Sequence, residues 1–306
     1  MKIVKYDFLF PTHVSLIDQA VWSPIAAHFL GHEIRIHKPL TNQTGYAVPN
    51  SIGNQQLDAY STIIRLELSA HAPPDSLSLY PLAFQCLAWV RALTRQYWVG
   101  SVGSGSAVVR VSSLSKDVAT EAFEPANSGS FSAPIIPEHL SEQIWVEVGL
   151  GVTSGQFPRN SDLVFCNAML ASRDQNFREA VALLGIASEI EVSDGVESFL
   201  SSSANPVADL LYRRTRPDFK WKLNNLLPAI YGRKFSGDEP RWHQELITLY
   251  DARGKAAHSE ISTDVASSLP RFVLATDVFL RWMHGIRKSN GQQIGPCPVA
   301  LHAVLG

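Results

Sequence analysis

The period of the apolar residues changes along this chain of 306 residues, and that change constrains the fold more than any other feature. Segments 2–10, 33–37 and 62–68 alternate apolar with polar residues or are rich in β-branched residues, which is typical of strands. From about residue 161 the apolar residues recur at steps of three and four, which is typical of packed helices. The sequence therefore predicts an α+β domain over 1–160, an all-α helical bundle over 161–290 and a tail over 291–306.

A helix and a further strand complete the predicted first domain. Segment 106–113 predicts a strand, whereas Ser, Pro, Gly and Asn interrupt 114–137 and predict a loop. Segment 80–98 has helical spacing, with one apolar stripe made of Leu82, Cys86, Trp89 and Leu93. We expect this domain to sense or recognise a regulatory partner or ligand.

The helices of the second domain are bounded by proline and glycine. The first helical pattern runs from about 161 to 200, with a break predicted near Arg173 or at 193–195. Asn205 and Pro206 suit the cap and the first turn of the next helix. The remaining predicted helices end at Tyr231, extend from Pro240 to about Ala257, and extend from Pro270 to Arg287.

Composition and charge exclude several classes of protein. A formal charge of −2 and a pI of about 6.5 exclude a protein that coats nucleic acid by bulk charge, but not a local basic site. The three cysteines lack metal-ligand spacing, and Cys86 and Cys166 lie among apolar residues, as buried thiols do. Without a signal peptide or an apolar stretch of about 18 residues, we expect a cytoplasmic protein with no membrane segment, metal or cofactor.

Segment 245–261 carries an arginine on the apolar face of a helix. That face contains Leu246, Leu249, Tyr250, Ala256 and Ala257. At about 100° per residue, Arg253 falls near the middle of the face, and His258 lies about 140° round from it. A guanidinium group cannot be buried alone, so Arg253 requires a carboxylate, a cleft or a subunit interface.

A carboxylate on the long helix before it is a suitable partner for Arg253. The apolar stripe of that helix contains Phe177, Val181, Leu184 and Ser188. Glu191 occupies the next helical step of this stripe, whereas Glu189 projects to the polar side. We therefore expect Glu191 to orient or neutralise Arg253 across the bundle.

The pattern Tyr250-Asp251-x-Arg253-x4-His258, late in a helix, resembles the HEPN superfamily, in particular its Apea-like branch. The preceding helix with its core glutamate Glu191 looks similar too, and the resemblance covers about 165–288. It implies a helical bundle whose Arg-x4-6-His motif forms a metal-independent ribonuclease site. Members commonly carry a polar residue, often Asn, after the arginine, where this chain has Gly254. Asp251 and Lys255 are expected to support the site formed by Arg253 and His258.

Metal-free RNA cleavage explains the need for these two residue types. His258 can remove the proton of a ribose 2′-hydroxyl or protonate the leaving 5′-oxygen. Arg253 can hold the scissile phosphate bidentately and stabilise the charge that develops on it. The resemblance implies a homodimer whose two helical domains share a composite site, and the expected product carries a 2′,3′-cyclic phosphate.

A basic stretch with interleaved aromatics lies at 212–222. Its candidate RNA-binding residues are Arg213, Arg214, Arg216, Lys220 and Lys222, and the aromatics between them are Tyr212, Phe219 and Trp221. Such a stretch suits an RNA-facing surface. The alternative is a solvated helix face whose aromatics lie in the core.

The first functional hypothesis is a dimeric HEPN-type endoribonuclease. Its role in toxin action or antiviral defence is inferred from the resemblance alone. The second is a catalytically silent HEPN-like module that binds RNA or scaffolds an assembly, with Gly254 marking the lost site. The third is a structural interaction protein in which Arg253 only pairs with Glu191.

Overall fold

The computed structural model of the chain describes residues 2–10, 14–17, 21–48, 55–97, 99, 108–111, 135–136, 138–203, 212, 217–257 and 264–303. These residues divide into two compact units. The first unit contains the described residues up to Pro158 except 135–136. The second contains 135–136 and the described residues from Arg159 on.

The first unit is built on an antiparallel sheet. Its strands are β1 (Lys2–Phe10), β2 (Ile25–Phe29), β3 (His32–Ile36), β4 (Leu40–Val48), β5 (Gln55–Ala70) and β6 (Val108–Val111). The order is β2-β3-β5-β1-β6, and β4 pairs with the first half of β5. The second half of β5 pairs with β1, in a register that sets Lys2 opposite Ala70 and Phe10 opposite Thr62.

Alternation of side chains gives the sheet one apolar face. On β1, Val4, Tyr6 and Phe8 are buried, and Lys5 and Asp7 between them are half-buried on the other face. On that polar face, Asp7 accepts two hydrogen bonds from Arg65 of β5, at 2.7 and 2.8 Å. The period of two that predicted these strands therefore separates a core face from a charged face.

Two helices complete the described part of the first unit: α1 (Ser76–Thr94) and α2 (Glu142–Thr153). Asp75 caps α1, because its carboxylate accepts a hydrogen bond from the backbone N–H of Leu77 at 3.1 Å. Helix α2 packs on α1 at Gly151, where an added Cβ would collide with the ring of Trp89. Only glycine permits this close approach of the two helices.

The prediction of an α+β first half is confirmed, with differences at the element boundaries. The predicted helix over 80–98 begins at Ser76, because the Asp75 cap starts it one turn earlier. The strands β2 and β4 were not predicted. For β4 the reason is its mostly polar sequence, which pairs with β5 through the backbone. The predicted loop over 114–137 lies outside the described residues except for 135–136.

The second unit is mostly helical. Its helices are α3 (Asn160–Arg173), α4 (Phe177–Ser203), α5 (Phe219–Trp221), α6 (Leu227–Tyr231), α7 (Phe235–Asp238), α8 (Pro240–Ala257) and α9 (Asp264–Ser289). A π-helical turn, Lys222–Leu226, joins α5 to α6. Two short strands, β7 (Ile135–Ile136) and β8 (His302–Ala303), pair with each other. This pair is an exception to the predicted all-α domain and to the predicted irregular tail.

Helix α4 lies at the centre of this unit and packs against α3, α8 and α9. Its residues Val181 and Leu184 are fully buried. The predicted stripe of α9 also faces the core, where the ring of Phe279 lies 5.1 Å from the ring of Phe235 in an edge-on arrangement.

The expectation that Cys86 and Cys166 are buried thiols is confirmed. Burial raises the pKa of Cys86, in the first unit, to about 12.

The helix boundaries predicted for this unit are confirmed at Arg173 and wrong at Pro270. The break predicted near Arg173 is confirmed, since α3 ends there and α4 continues through 193–195. The prediction that Pro270 opens the last helix is wrong, because α9 begins at Asp264 and contains Pro270. Pro270 is the seventh residue of α9, and its missing N–H removes one hydrogen bond of the ladder without ending the helix. The start predicted at 205–206 lies outside the described residues.

None of the helices in the described part of the chain combines the length and the apolar composition that a membrane span requires.

Candidate functional site

Arg253 lies in the last turns of α8 and reaches towards α4. Its side chain packs against Gly185, where an added Cβ would collide with Cδ of Arg253. The guanidinium then forms an ion pair with Glu189 and donates a hydrogen bond to it through Nη1. Because the Arg253 side chain is 29% exposed and that of Glu189 is 34% exposed, the pair lies at the surface of the unit. The guanidinium is therefore anchored by one carboxylate and remains accessible.

The predicted pairing of Arg253 with Glu191 is wrong. Glu191 is fully buried, as its position on the core stripe predicts, but its partners come from α3, α9 and the residue before α3. Glu189 and Glu191 are two residues apart, which separates them by about 200° round α4. The two carboxylates therefore face different neighbouring helices, and α8 meets the side that carries Glu189.

Glu191 is the centre of a buried ionic network. Its Oε1 accepts hydrogen bonds from Arg159 at 3.0 Å and from Arg287 at 2.8 Å, and its Oε2 accepts one from Ser161 at 2.6 Å. Arg159 also forms an ion pair with Asp162 at 2.8 Å. Burial alone lowers the pKa of Arg159, but the carboxylates of Asp162 and Glu191 outweigh it and raise the pKa. This network joins α3, α4 and α9, and it stabilises the fold rather than presenting a site to solvent.

A second cation lies near the Tyr250 ring that Arg253 also approaches. Lys220 of α5 forms an ion pair with Asp251 of α8, with 2.6 Å between Nζ and Oδ1. The Nζ of Lys220 and the Cζ of Arg253 each lie 5.9 Å from the centroid of the Tyr250 ring. We call the group formed by Glu189, Lys220, Tyr250, Asp251 and Arg253 the Arg253 surface.

The core side of the Arg253 surface is fixed by aromatic stacking. The ring of Phe219 lies 5.2 Å from the ring of Tyr250 with an interplanar angle of 17°, and Phe219 is 4% exposed. Phe219 is adjacent in sequence to Lys220, so this stack determines where α5 meets α8. It therefore brings Lys220 to the end of α8 that carries Arg253.

The aromatics of the predicted basic stretch divide between core and surface. Phe219 is buried, whereas Trp221 is 49% exposed. Lys222 lies over the ring of Tyr212, with 5.2 Å from Nζ to the centroid. The alternative that places the aromatics in the core therefore holds for Phe219 and not for Trp221, and the RNA-facing surface stays a prediction.

Several predicted site residues lie outside the Arg253 surface or outside the described part of the chain. Lys255 is exposed on α8. His258 follows the described part of α8, and it is outside the described residues, as are Arg213, Arg214 and Arg216.

The π-helical turn beside this surface was not predicted. It places Asn224 within 2.8 Å of His243 on α8, where the Oδ1 of Asn224 and the Nε2 of His243 form a hydrogen bond. Burial lowers the pKa of His243, which favours the neutral imidazole. Such turns widen the spacing of helical residues and occur often at functional sites. No residue pattern in 222–226 distinguishes a π-helical turn from an α-helix.

The sheet of the first unit offers a separate cavity of about 450 Å³ on its charged face. Glu67 lies in its lining and forms an ion pair with Lys5 at 3.5 Å, and the Nε2 of His37 lies 3.6 Å from the same carboxylate. This carboxylate thus already has a cationic partner. Across the described ranges, no group of three His, Cys, Asp or Glu side chains could hold a metal ion.

The Arg253 surface combines two cations with two carboxylates in a half-exposed position. Ion pairs of this exposure contribute only about 0–1 kcal/mol each, because water screens them. A phosphate group can therefore replace either carboxylate at small cost and gain a charge-assisted hydrogen bond. The arrangement suits the binding of a phosphodiester.

Comparison of the chain with family models, with curated protein sequences and with solved structures found no match.

Proposed function

We propose that the protein is a metal-independent endoribonuclease of the HEPN type whose site contains Arg253 and His258. The observation that carries the proposal is the accessible Arg253 guanidinium, anchored by Glu189 and accompanied by Lys220 on the same tyrosine ring. A phosphodiester backbone presents consecutive anionic groups, which two neighbouring cations can hold in register.

In the proposed reaction Arg253 binds the scissile phosphate and stabilises the charge that builds on its oxygens. His258, five residues further along the chain, removes the proton of the 2′-hydroxyl or protonates the leaving 5′-oxygen. The 2′-oxygen attacks the phosphorus, the bond to the 5′-oxygen breaks, and a 2′,3′-cyclic phosphate results. Asp251 keeps Lys220 directed at the strand.

The motif supplies one histidine per chain, His258, and one imidazole cannot act as acid and base at once. We therefore propose a homodimer in which two helical domains contribute one motif each. The first unit then recognises a trigger, a regulatory partner or a ligand, and the protein acts in the cytoplasm in toxin action or antiviral defence. The role in toxin action or antiviral defence rests on the resemblance to the HEPN superfamily.

Arg253→Ala is expected to slow cleavage of a mixed RNA pool by about 100- to 1,000-fold, because the charge on the phosphate loses its main counter-charge. The rate is measured in EDTA by gel electrophoresis, with folding checked by circular dichroism. Arg271→Ala is the matched control. This α9 arginine is 53% exposed and forms an ion pair with Glu245 at 3.4 Å, and neither residue belongs to the Arg253 surface. Equal rates for the two variants, or complete inhibition of the wild type by EDTA, would contradict the proposal.

Gly185→Ala is expected to impair cleavage without removing any charge. The added methyl group would occupy the space of the Arg253 side chain and displace the guanidinium from Glu189. Cleavage is compared with that of Gly285→Ala, which places a methyl group in open space on α9. A Gly185→Ala protein that cuts as fast as this control would show that the position of Arg253 does not matter.

A catalytically silent RNA-binding or scaffold protein is the second candidate. Two observations favour it: Glu189 already neutralises Arg253, and Gly254 stands where a polar residue is common in the resembling family. RNA binding that depends on Arg253, without any cleavage product, would support this candidate over the enzyme.

A further inference from the structure

Trp221 is exposed at a place where its neighbours in the chain are anchored. The ring of Phe219, two residues earlier, is in the core, whereas Trp221 is 49% exposed. The backbone N–H of Trp221 donates a hydrogen bond to Oδ1 of Asp218 at 2.7 Å, which caps α5. A large aromatic side chain is therefore held at the surface by an ordered backbone.

The position of Trp221 connects it to the Arg253 surface. It directly follows Lys220, whose ammonium group is fixed by Asp251 and lies near the Tyr250 ring. Lys222 follows it and is half-buried over Tyr212. In the sequence Trp221 thus stands between two basic residues, and Lys220 belongs to the proposed phosphate-binding site.

This combination suits one class of ligand. Every nucleobase has a π-face that stacks on an aromatic side chain, and cations beside the ring attract the phosphates of the same strand. In a duplex the faces of the bases are stacked on one another and are not available to the protein. An exposed tryptophan whose neighbour in the chain is a cation of the proposed phosphate-binding site therefore suits discrimination between unpaired and paired RNA.

We propose that Trp221 is a base-stacking platform that makes the Arg253 surface selective for single-stranded RNA. The inference rests on the proposed function, because it assigns the nucleotide neighbouring the phosphate held by Arg253. It names Trp221 as a specificity-determining residue and Lys220 as the residue that links the stacked nucleotide to the site.

The test measures binding of three fluorescein-labelled probes by anisotropy. They are a short single strand of 2′-O-methyl RNA, the same strand annealed to its complement, and a strand of abasic residues. The 2′-O-methyl group removes the nucleophile and prevents cleavage during the measurement. Wild type is expected to bind the single strand most tightly. Trp221→Ala is expected to lose about tenfold in affinity for the single strand and little for the other two probes, because it removes the stacking of one base.

Two variants serve as controls. Trp221→Phe keeps an aromatic ring and is expected to retain most of the single-strand affinity. Phe157→Ala removes a ring that is 54% exposed in the other unit and is expected to bind every probe like wild type.

The possible outcomes separate this inference from the proposed function. Unchanged single-strand affinity in Trp221→Ala, or an equal loss for all three probes, overturns the stacking role. If Arg253→Ala binds as tightly as wild type while Trp221→Ala is impaired, the stacking role stands and the role of Arg253 is wrong. If wild type binds none of the probes, the proposed function and the inference both fall.

Discussion

His258→Ala is expected to lower the rate of RNA cleavage by about 100- to 10,000-fold, the contribution of a general acid or base, while RNA affinity stays nearly unchanged. The imidazole moves the proton in the reaction, whereas Arg253 and Lys220 provide the binding charges. Cleavage in EDTA is followed by gel electrophoresis. Affinity is measured by anisotropy on a 2′-O-methyl strand.

The control for this variant is His243→Ala, since His243 lies on α8, precedes His258 in the sequence and is held by Asn224. A mixing experiment tests the composite site: excess His258→Ala protein is added to wild type and allowed to exchange subunits. If two chains share each site, the activity of the wild type falls as mixed dimers form. Undiminished activity after exchange would refute the shared site. A His258→Ala enzyme that cuts as fast as wild type would refute the role of His258.

Glu191→Ala is expected to lower the free energy of unfolding by about 3–5 kcal/mol, because it leaves two buried guanidinium groups without their common carboxylate. Arg159 and Arg287 both donate to the same oxygen of Glu191, and this side chain is fully buried. The measurement is urea denaturation followed by the helical circular dichroism signal, to which the second unit contributes most of the helices.

Glu189→Ala is the matched control, on the same helix and with the same side chain. Its ion pair with Arg253 is about one-third exposed, so its loss is expected to cost no more than about 1 kcal/mol. Nearly equal destabilisation by the two substitutions would show that the Glu191 network contributes no more than a surface pair. Loss of RNA binding in Glu189→Ala would show that the carboxylate is needed to position Arg253. It would also show that this effect outweighs any competition of Glu189 with the phosphate.

The local pattern of the sequence was sufficient for the architecture. Alternation in β1 and in the second half of β5 predicts strands, and the stripes of α4 and α9 predict helices that bury one face, because both depend only on the backbone period. The same argument failed for β4, whose mostly polar sequence pairs with β5 through main-chain hydrogen bonds. It also failed at Pro270, since the extent of a helix depends on what it packs against.

For the candidate site, the sequence by itself determined that Arg253 lies on a helix face that must supply it with a partner, and that Glu191 lies in the core. Only the tertiary structure decided that the partner of Arg253 is Glu189 and that Trp221 is exposed while Phe219 is buried. A helical period specifies the angle of a side chain about its own axis. Which helix occupies that angle follows from the packing of the whole unit, and residues distant in sequence determine that packing.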